Sequence, residues 1–205
     1  MKEKLTTQDL CLSAIFTVLT AVCAQIAIPL PISPVPISFG MVGVYTAAIF
    51  LKPKCAVISQ VCYLLLGAVG MPVFGGFRGG VGALIGPTGG YLLVYPIIVA
   101  IIACTLNGRR ALLAERKQRQ VVIKGGVSIC IAHLVLYVSG TAWLSATTGN
   151  TFIQGLSLAV FPYVPMDIVK IVFCILVIIP LRKRFMKMGL LNVSVKATNM
   201  EGRKK

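Results

Sequence analysis

The residues best placed to do chemistry are an aspartate and a lysine inside an apolar run. Asp167 lies within FPYVPMDIVKIVFCILVIIPL, and Lys170 follows three residues later, on the same face of a helix. A charge near the middle of a bilayer costs about 2.5–3.5 kcal/mol on insertion scales. The pair is therefore either a structural ion pair or a ligand site. We favour a ligand site, because ionisable residues within membranes are usually functional.

The local sequence also suits a ligand site. Pro165 fits the first turn of a helix, so Asp167 lies near the helix N-terminus, where the helix dipole favours an anion. Lys170 lies one turn deeper and supplies a donor. An acceptor and a donor about a turn apart suit a small solute with N–H groups at one point and a carboxylate or carbonyl at another.

Other residues that could do chemistry have weaker contexts. His133 is the only histidine, and no acidic residue or H-x-x-H partner lies near it in the sequence, so we expect a packed or cavity-lining side chain. Ser139 lies on a different helix face from His133, which disfavours a Ser/His protease. The segment GGVGALIG lacks the Gly-Lys-Ser/Thr ending of a phosphate-binding loop. We therefore expect no cofactor, no metal and no ATP hydrolysis by this chain.

Composition indicates the class of protein. The chain is 57% hydrophobic and 12% charged, which predicts a polytopic membrane protein with a single membrane domain, 1–205. The net charge of +15 does not indicate nucleic-acid binding, because the basic residues lie between apolar segments. The seven cysteines include no C-x-x-C pair and lie mostly in apolar segments. We expect small buried hydrophobes there, with no disulfides and no metal ligands.

Six apolar segments predict an all-α fold with six transmembrane helices. Their approximate ranges are 10–28, 37–51, 55–70, 90–106, 121–144 and 165–181, followed by a basic tail, 182–205. With six helices, 18 of the 20 basic residues fall on one side, which places both termini in the cytoplasm. Several segments are shorter than a full span of about 20 residues, and short spans often accompany irregular backbone that lines a cavity.

The second outward loop, MPVFGGFRGGVGALIGPTG, is rich in glycine and carries Arg78, the only charge in the outward loops. Dense glycine lets backbone turn tightly and approach a ligand. We expect a folded cap with an apolar underside formed by Met71, Val73, Phe74, Phe77, Leu84 and Ile85. Arg78 is a candidate ligand contact, and the candidates for pocket or lid residues are Phe77, Gly79, Gly80 and Tyr91.

A stripe of small residues, Ser13, Thr17 and Ala21, follows one face of the first predicted helix. Small side chains at this spacing let helices approach closely in lipid. The stripe either packs within the chain or docks on a partner subunit, and both interpretations remain open.

Four segments together resemble the signature segments of a known family. They are PISPVPISF (31–39), GAVGMPVF (67–74), RGGVGALIGPTGGY (78–91) and FPYVPMDIVK (161–170). They resemble the BioY family, the biotin-specific substrate-binding (S) components of energy-coupling-factor (ECF) transporters. The resemblance covers the whole chain in length and motif order. The family often has a glutamine shortly after P-V-P-I, whereas this chain has Ser38-Phe39-Gly40 there.

The resemblance implies a six-helix protein of the cell membrane that captures biotin and is not an enzyme. It implies a pocket near the outer face, covered by the loops after the first and third helices. Asp167 and Lys170 match the family's polar biotin contacts, and Arg78 lies in a loop that reaches the ligand. The implied partners are a transmembrane coupling subunit and two ATPases. The alternatives are an S component for another small vitamin, a membrane-embedded enzyme, or a structural subunit without ligand.

Overall fold

The structure is a computed structural model, and it describes residues 5–29, 35–107 and 118–187. Helices make up most of these ranges, as predicted. The first part contains α1 (Thr7–Gln25), β1 (Ala27–Ile28), β2 (Ile37–Ser38), α2 (Gly40–Phe50), α3 (Pro53–Ala68), α4 (Val81–Ile85), α5 (Gly89–Leu93) and α6 (Tyr95–Asn107). The second part contains α7 (Gln118–Thr148), α8 (Phe152–Ala159), α9 (Val164–Phe173), a π-helical turn (Cys174–Ile178) and α10 (Ile179–Lys187).

The first helix begins and ends earlier than its apolar run. Thr6 Oγ1 accepts from the Asp9 N–H, and the Asp9 carboxylate accepts from the Thr6 N–H, so a capping box starts the helix at Thr7. The helix stops at Gln25 because Ala27–Ile28 pairs antiparallel with Ile37–Ser38. The all-α prediction therefore misses this short hairpin, whose strands end the first predicted segment and begin the second.

Four helical stretches in the described ranges are long and apolar enough to cross a membrane: Thr7–Gln25, Gly89–Asn107, Arg119–Thr148 and Val164–Arg182. Two shorter apolar helices accompany them, Gly40–Phe50 and Pro53–Ala68. These six stretches correspond to the six predicted segments. The short helix α2 packs against α1 and α6, and nearly all of its side chains are buried, so it forms the centre of the bundle.

The small-residue stripe packs inside the chain. Ser13 Oγ donates to Cys55 O at 3.2 Å, and Thr17 Oγ1 donates to Ser59 O at 2.9 Å. Both acceptors lie on α3, and Ser13 and Thr17 are each only 3% exposed. The docking interpretation is therefore wrong for these two residues, because α3 covers them. Ala21, the third member, is half-buried.

The predicted basic tail starts too early. Arg182 is 5% exposed, and its guanidinium donates to Leu106 O and to Asn107 Oδ1. The Asn107 amide in turn donates to three carbonyls at the end of α2, those of Ala48, Ile49 and Leu51. Arg182 thus belongs to the fold, and α10 continues to Lys187. The rest of the predicted tail, 188–205, lies outside the described residues.

Candidate functional site

Asp167 lies in the first turn of α9, where three side chains surround its carboxylate. Lys170 Nζ lies 2.9 Å from Oδ1, and the Tyr137 hydroxyl donates to Oδ2 at 2.7 Å. His133 Nε2 lies 3.3 Å from Oδ2. Asp167 is 7% exposed and Lys170 4%, so both charges are buried and satisfied by each other. The structure brings together the two residues that the sequence paired.

Lys170 keeps binding capacity beyond this ion pair. Its ammonium carries three N–H donors, and Asp167 is its hydrogen-bonding partner at 2.9 Å. The ammonium also lies 5.7 Å from the centre of the Phe39 ring, within the range of a cation–π interaction. The remaining N–H groups can therefore bind a ligand in the cavity that Lys170 lines.

Sequence reasoning expected His133 only as a packed or cavity-lining side chain, and it missed Tyr137 and Tyr45. His133 and Tyr137 lie four residues apart on α7, so both face Asp167 on α9. The other ring nitrogen of His133, Nδ1, lies 2.5 Å from the hydroxyl of Tyr45 on α2. A continuous polar chain thus joins three helices. The four-residue spacing of His133 and Tyr137 could have predicted that the two side chains lie on one helix face. The contact with Tyr45 could not be predicted, because it depends on how the helices pack.

A cavity of two adjoining compartments contains the site. Their empty volumes are about 500 and 470 Å³, including the space at their mouths. They share five lining residues, Val35, Pro36, Ser38, Tyr91 and Tyr95. Asp167 and Lys170 line one compartment, and Arg78 lines the other. A mostly apolar cavity with a few convergent polar groups has the form of a small-molecule site.

Tyrosine rings form much of the cavity wall. Tyr63 and Tyr95 stack with 6.1 Å between ring centres, and Tyr63 meets Phe74 edge-on at 5.4 Å. Tyr63 and Phe74 line the Arg78 compartment, and Tyr95 lines both. Such rings offer an apolar surface to a ligand while their hydroxyls seek polar partners.

Tyr91 is held in the wall by a close approach of α5 to α7. A Cβ at Gly140 would lie 2.1 Å from a Tyr91 ring carbon, and one at Gly90 would lie 2.2 Å from Trp143 Cβ. Only glycine permits these contacts. The Tyr91 hydroxyl is also 3.3 Å from Thr141 Oγ1. Of the candidate pocket or lid residues, Tyr91 is the one that lines the cavity, and it lines both compartments.

Arg78 reaches the cavity from a loop that the end of α1 fastens. Phe74 and Arg78 exchange two backbone hydrogen bonds, of 2.9 and 3.2 Å, which close a tight turn. The Gln25 side chain donates to Pro72 O and accepts from the Phe77 N–H at 2.9 Å. Arg78 itself is exposed, and no acidic side chain of the described residues pairs with it. Its charge is therefore available at the mouth of the cavity.

The other candidates in this loop do not line the cavity. Phe77 is 71% exposed and has a φ of 58°, and Gly80 has a φ of 90° at the start of α4. A Cβ at Gly79 would lie 2.3 Å from Met71 O, so Gly79 allows the loop to pack on itself. The predicted apolar underside is also only partly correct: Phe74 is buried and Val73 and Leu84 are half-buried, but Met71, Phe77 and Ile85 are exposed. A lid role for this loop stays a prediction.

Two further expectations meet the structure here. Ser139 Oγ donates to Val135 O of its own helix at 2.7 Å, so it forms no pair with His133, as the helix periodicity predicted. All seven cysteines are free, in line with the prediction of no disulfides. Only Cys55 and Cys174 are buried, however, and four others are exposed on the helices.

The fold and the cavity define a helical membrane protein built to hold a small solute. Comparison with protein-family models identifies the family of the chain, because the model described as the BioY family matches residues 1–187. The chain belongs to the BioY family.

Relatives agree in sequence and in fold. The chain is 36% identical over 163 residues to the probable biotin transporter BioY of Pyrococcus horikoshii, covering 80% of this chain and 89% of that protein. It is 33% identical over 172 residues to the biotin transporter BioY of Thermotoga maritima, covering 83% and 94%. A crystal structure of the S-component for biotin from an ECF-type ABC transporter matches with a TM-score of 0.74 and 26% identity, over 88% of this chain and 95% of that one.

Proposed function

We propose that this chain captures biotin as the S component of an ECF-type ABC transporter. The family and its named relatives support this assignment. The observation that carries it is the cavity, which has a compensated Asp167–Lys170 pair in one compartment and an uncompensated Arg78 in the other. A ligand that complements both compartments has a neutral polar head, an apolar body and an anionic tail.

Biotin has these three parts. Its ureido group is neutral and presents N–H donors beside a carbonyl, which suits the Asp167 carboxylate and the free N–H groups of Lys170. A neutral head leaves the buried pair balanced, so no unpaired charge is created. The carboxylate of the tail then meets the Arg78 guanidinium at the cavity mouth, and the apolar body lies along Tyr91 and Tyr95.

The proposed setting is the plasma membrane, with six transmembrane helices and both termini in the cytoplasm. The distribution of basic residues supports this orientation. The helix α2, Gly40–Phe50, is only about 16 Å long at 1.5 Å per residue. The hairpin formed by Ala27–Ile28 and Ile37–Ser38 precedes α2. We propose that this non-helical backbone fills part of the membrane thickness that α2 does not span, where it lines the cavity.

Transport then needs partners, because capture alone does not move biotin against a gradient. We propose a transmembrane coupling subunit and two ATPases, with no cofactor on this chain. The absence of a phosphate-binding motif from the sequence supports separate ATPases.

Equilibrium dialysis of the purified chain against labelled biotin, without partner subunits, tests the proposed function. We expect saturable binding of one biotin per chain, competed by unlabelled biotin but not by equal concentrations of thiamine or riboflavin. Competition by another vitamin at lower concentration than biotin would assign a different ligand. No binding of any of them, by a folded chain, would make the Asp167–Lys170 pair purely structural.

A further inference from the structure

His133 connects the acceptor of the site to the centre of the bundle. Its Nε2 lies 3.3 Å from Asp167 Oδ2, and its Nδ1 lies 2.5 Å from the Tyr45 hydroxyl. Tyr45 is 0% exposed, His133 6% and Asp167 7%. His133 is not among the residues that line either compartment. His133 therefore approaches the Asp167 carboxylate from the protein interior and does not line the space in which a ligand would lie.

These partners determine where the ring proton lies. If Nδ1 carried the only proton, Nε2 would turn a lone pair toward the Asp167 carboxylate, and two acceptors would face each other. If both nitrogens carried protons, the site would hold two buried cations, His133 and Lys170, against one carboxylate. The arrangement that fits is a neutral ring, with Tyr45 donating to Nδ1 and the proton on Nε2 facing Asp167.

Counting lone pairs then shows what remains for a ligand. A carboxylate offers about four acceptor positions. The Tyr137 hydroxyl and the His133 N–H both face Oδ2, and Lys170 binds Oδ1. The His133 N–H points beside Oδ2 without the alignment of a full hydrogen bond, so its attraction is electrostatic. The remaining position, on Oδ1 beside Lys170, is the one that no side-chain donor of the described residues faces.

We propose that His133, set by Tyr45, is a positioning residue for ligand recognition. It holds Oδ2 of Asp167 inside the protein, so that Oδ1 alone receives one ligand N–H next to the Lys170 ammonium. This role rests on the proposed function, because the N–H belongs to the ureido group of biotin. It predicts that the contact between position 133 and Asp167 controls affinity, whereas the contact between position 133 and Tyr45 alone does not suffice.

Two substitutions at one position separate these contacts. The amide of His133→Gln extends to about the position of Nε2 and can still donate to Asp167. The amide of His133→Asn reaches only to about the position of Nδ1, near Tyr45. We expect the glutamine variant to bind biotin within about threefold of the unsubstituted chain, and the asparagine variant to bind at least about tenfold more weakly, the scale of a lost contact to a charged group.

A double-mutant cycle distinguishes positioning from packing. In an Asp167→Asn background, where the carboxylate is gone, His133→Asn should cost less than about threefold. Equal affinities of the glutamine and asparagine variants, or a full tenfold cost in the Asp167→Asn background, would overturn the positioning role. If His133→Asn fails to fold, Tyr45→Phe replaces it. Without the Tyr45 hydroxyl, the ring proton of His133 is no longer held on Nε2, so biotin binding should weaken several-fold. Unchanged affinity would overturn the role. An unsubstituted chain that binds no biotin would remove the proposed function itself.

Discussion

Asp167 and Lys170 face each other across one turn of α9, with 2.9 Å between Oδ1 and Nζ, and both are buried. Removing the carboxylate takes away the acceptor for the ligand N–H and leaves Lys170 as an unpaired buried charge, and losing one partner of a buried, hydrogen-bonded charge pair at a binding site costs about 2–5 kcal/mol in affinity. We expect Asp167→Ala to weaken biotin binding more than about a hundredfold. Asp167→Asn keeps the shape and one acceptor oxygen, so it should cost less. Isothermal titration of both variants checks the order.

The pair also predicts non-additive losses. Lys170→Met removes the ammonium but keeps the length of the side chain. Because Asp167 and Lys170 act as one unit, Asp167→Asn combined with Lys170→Met should cost less than the sum of the single losses. Additive losses, with each variant folded, would mean that the two side chains contact the ligand independently.

Arg78 supplies the charge that distinguishes an anionic tail from a neutral one. We expect Arg78→Ala to weaken binding of biotin by about 1–2 kcal/mol, the scale of a hydrogen bond to a charged group. The same substitution should leave binding of biotin amide nearly unchanged, because the amide has no carboxylate. Arg78→Lys, which keeps the charge, is the matched control. An equal loss for biotin and its amide would place Arg78 away from the carboxylate.

Gly140 tests whether the cavity wall depends on the approach of α5 to α7. A Cβ at this position would lie 2.1 Å from the Tyr91 ring, so Gly140→Ala must displace Tyr91. Overpacking of this kind costs about 1–3 kcal/mol in stability. We expect a lower unfolding temperature and weaker biotin binding. Gly82→Ala is the control, since a Cβ at Gly82 would meet no atom within 4 Å and Gly82 is exposed. If Gly140→Ala has the same unfolding temperature and biotin affinity as Gly82→Ala, the cavity wall does not depend on the close approach of α5 to α7.

Single cysteines, in a chain whose native cysteines have been replaced, test the orientation in the membrane. Gly82→Cys and Asn150→Cys should react with an impermeant thiol reagent added outside intact cells. Lys54→Cys should react only after the membrane is opened, and so should Lys117→Cys, which lies outside the described residues. Labelling of position 54 or 117 from outside would exclude six helices with both termini in the cytoplasm.

Sequence predicted those parts of this molecule that depend on local pattern. Apolar runs located the four long and two shorter apolar helical stretches of the described residues, and the cost of a charge in a bilayer singled out Asp167 and Lys170. Helix caps and the hairpin shifted the bounds of α1, because Thr6 and Asp9 form a local hydrogen-bonded box that hydropathy does not register.

Contacts between distant segments could not be predicted in this way. Ser13 and Thr17 have the same pattern whether they meet α3 or another subunit, and only packing decides between the two. Likewise, Tyr45 and His133 are 88 residues apart, and their side chains meet only because the fold brings residues of α2 and α7 within reach of each other. The role of Gln25 in fastening the Arg78 loop is equally long-range, since it is 52 residues from Phe77.

The most direct test of this account is an experimental structure of the chain bound to biotin. We predict the ureido ring beside Asp167 and Lys170, one ring N–H on Asp167 Oδ1, and the carboxylate at Arg78. A bound biotin with its carboxylate on Lys170 and its ureido ring toward Arg78, or a biotin outside the two compartments, would contradict the account.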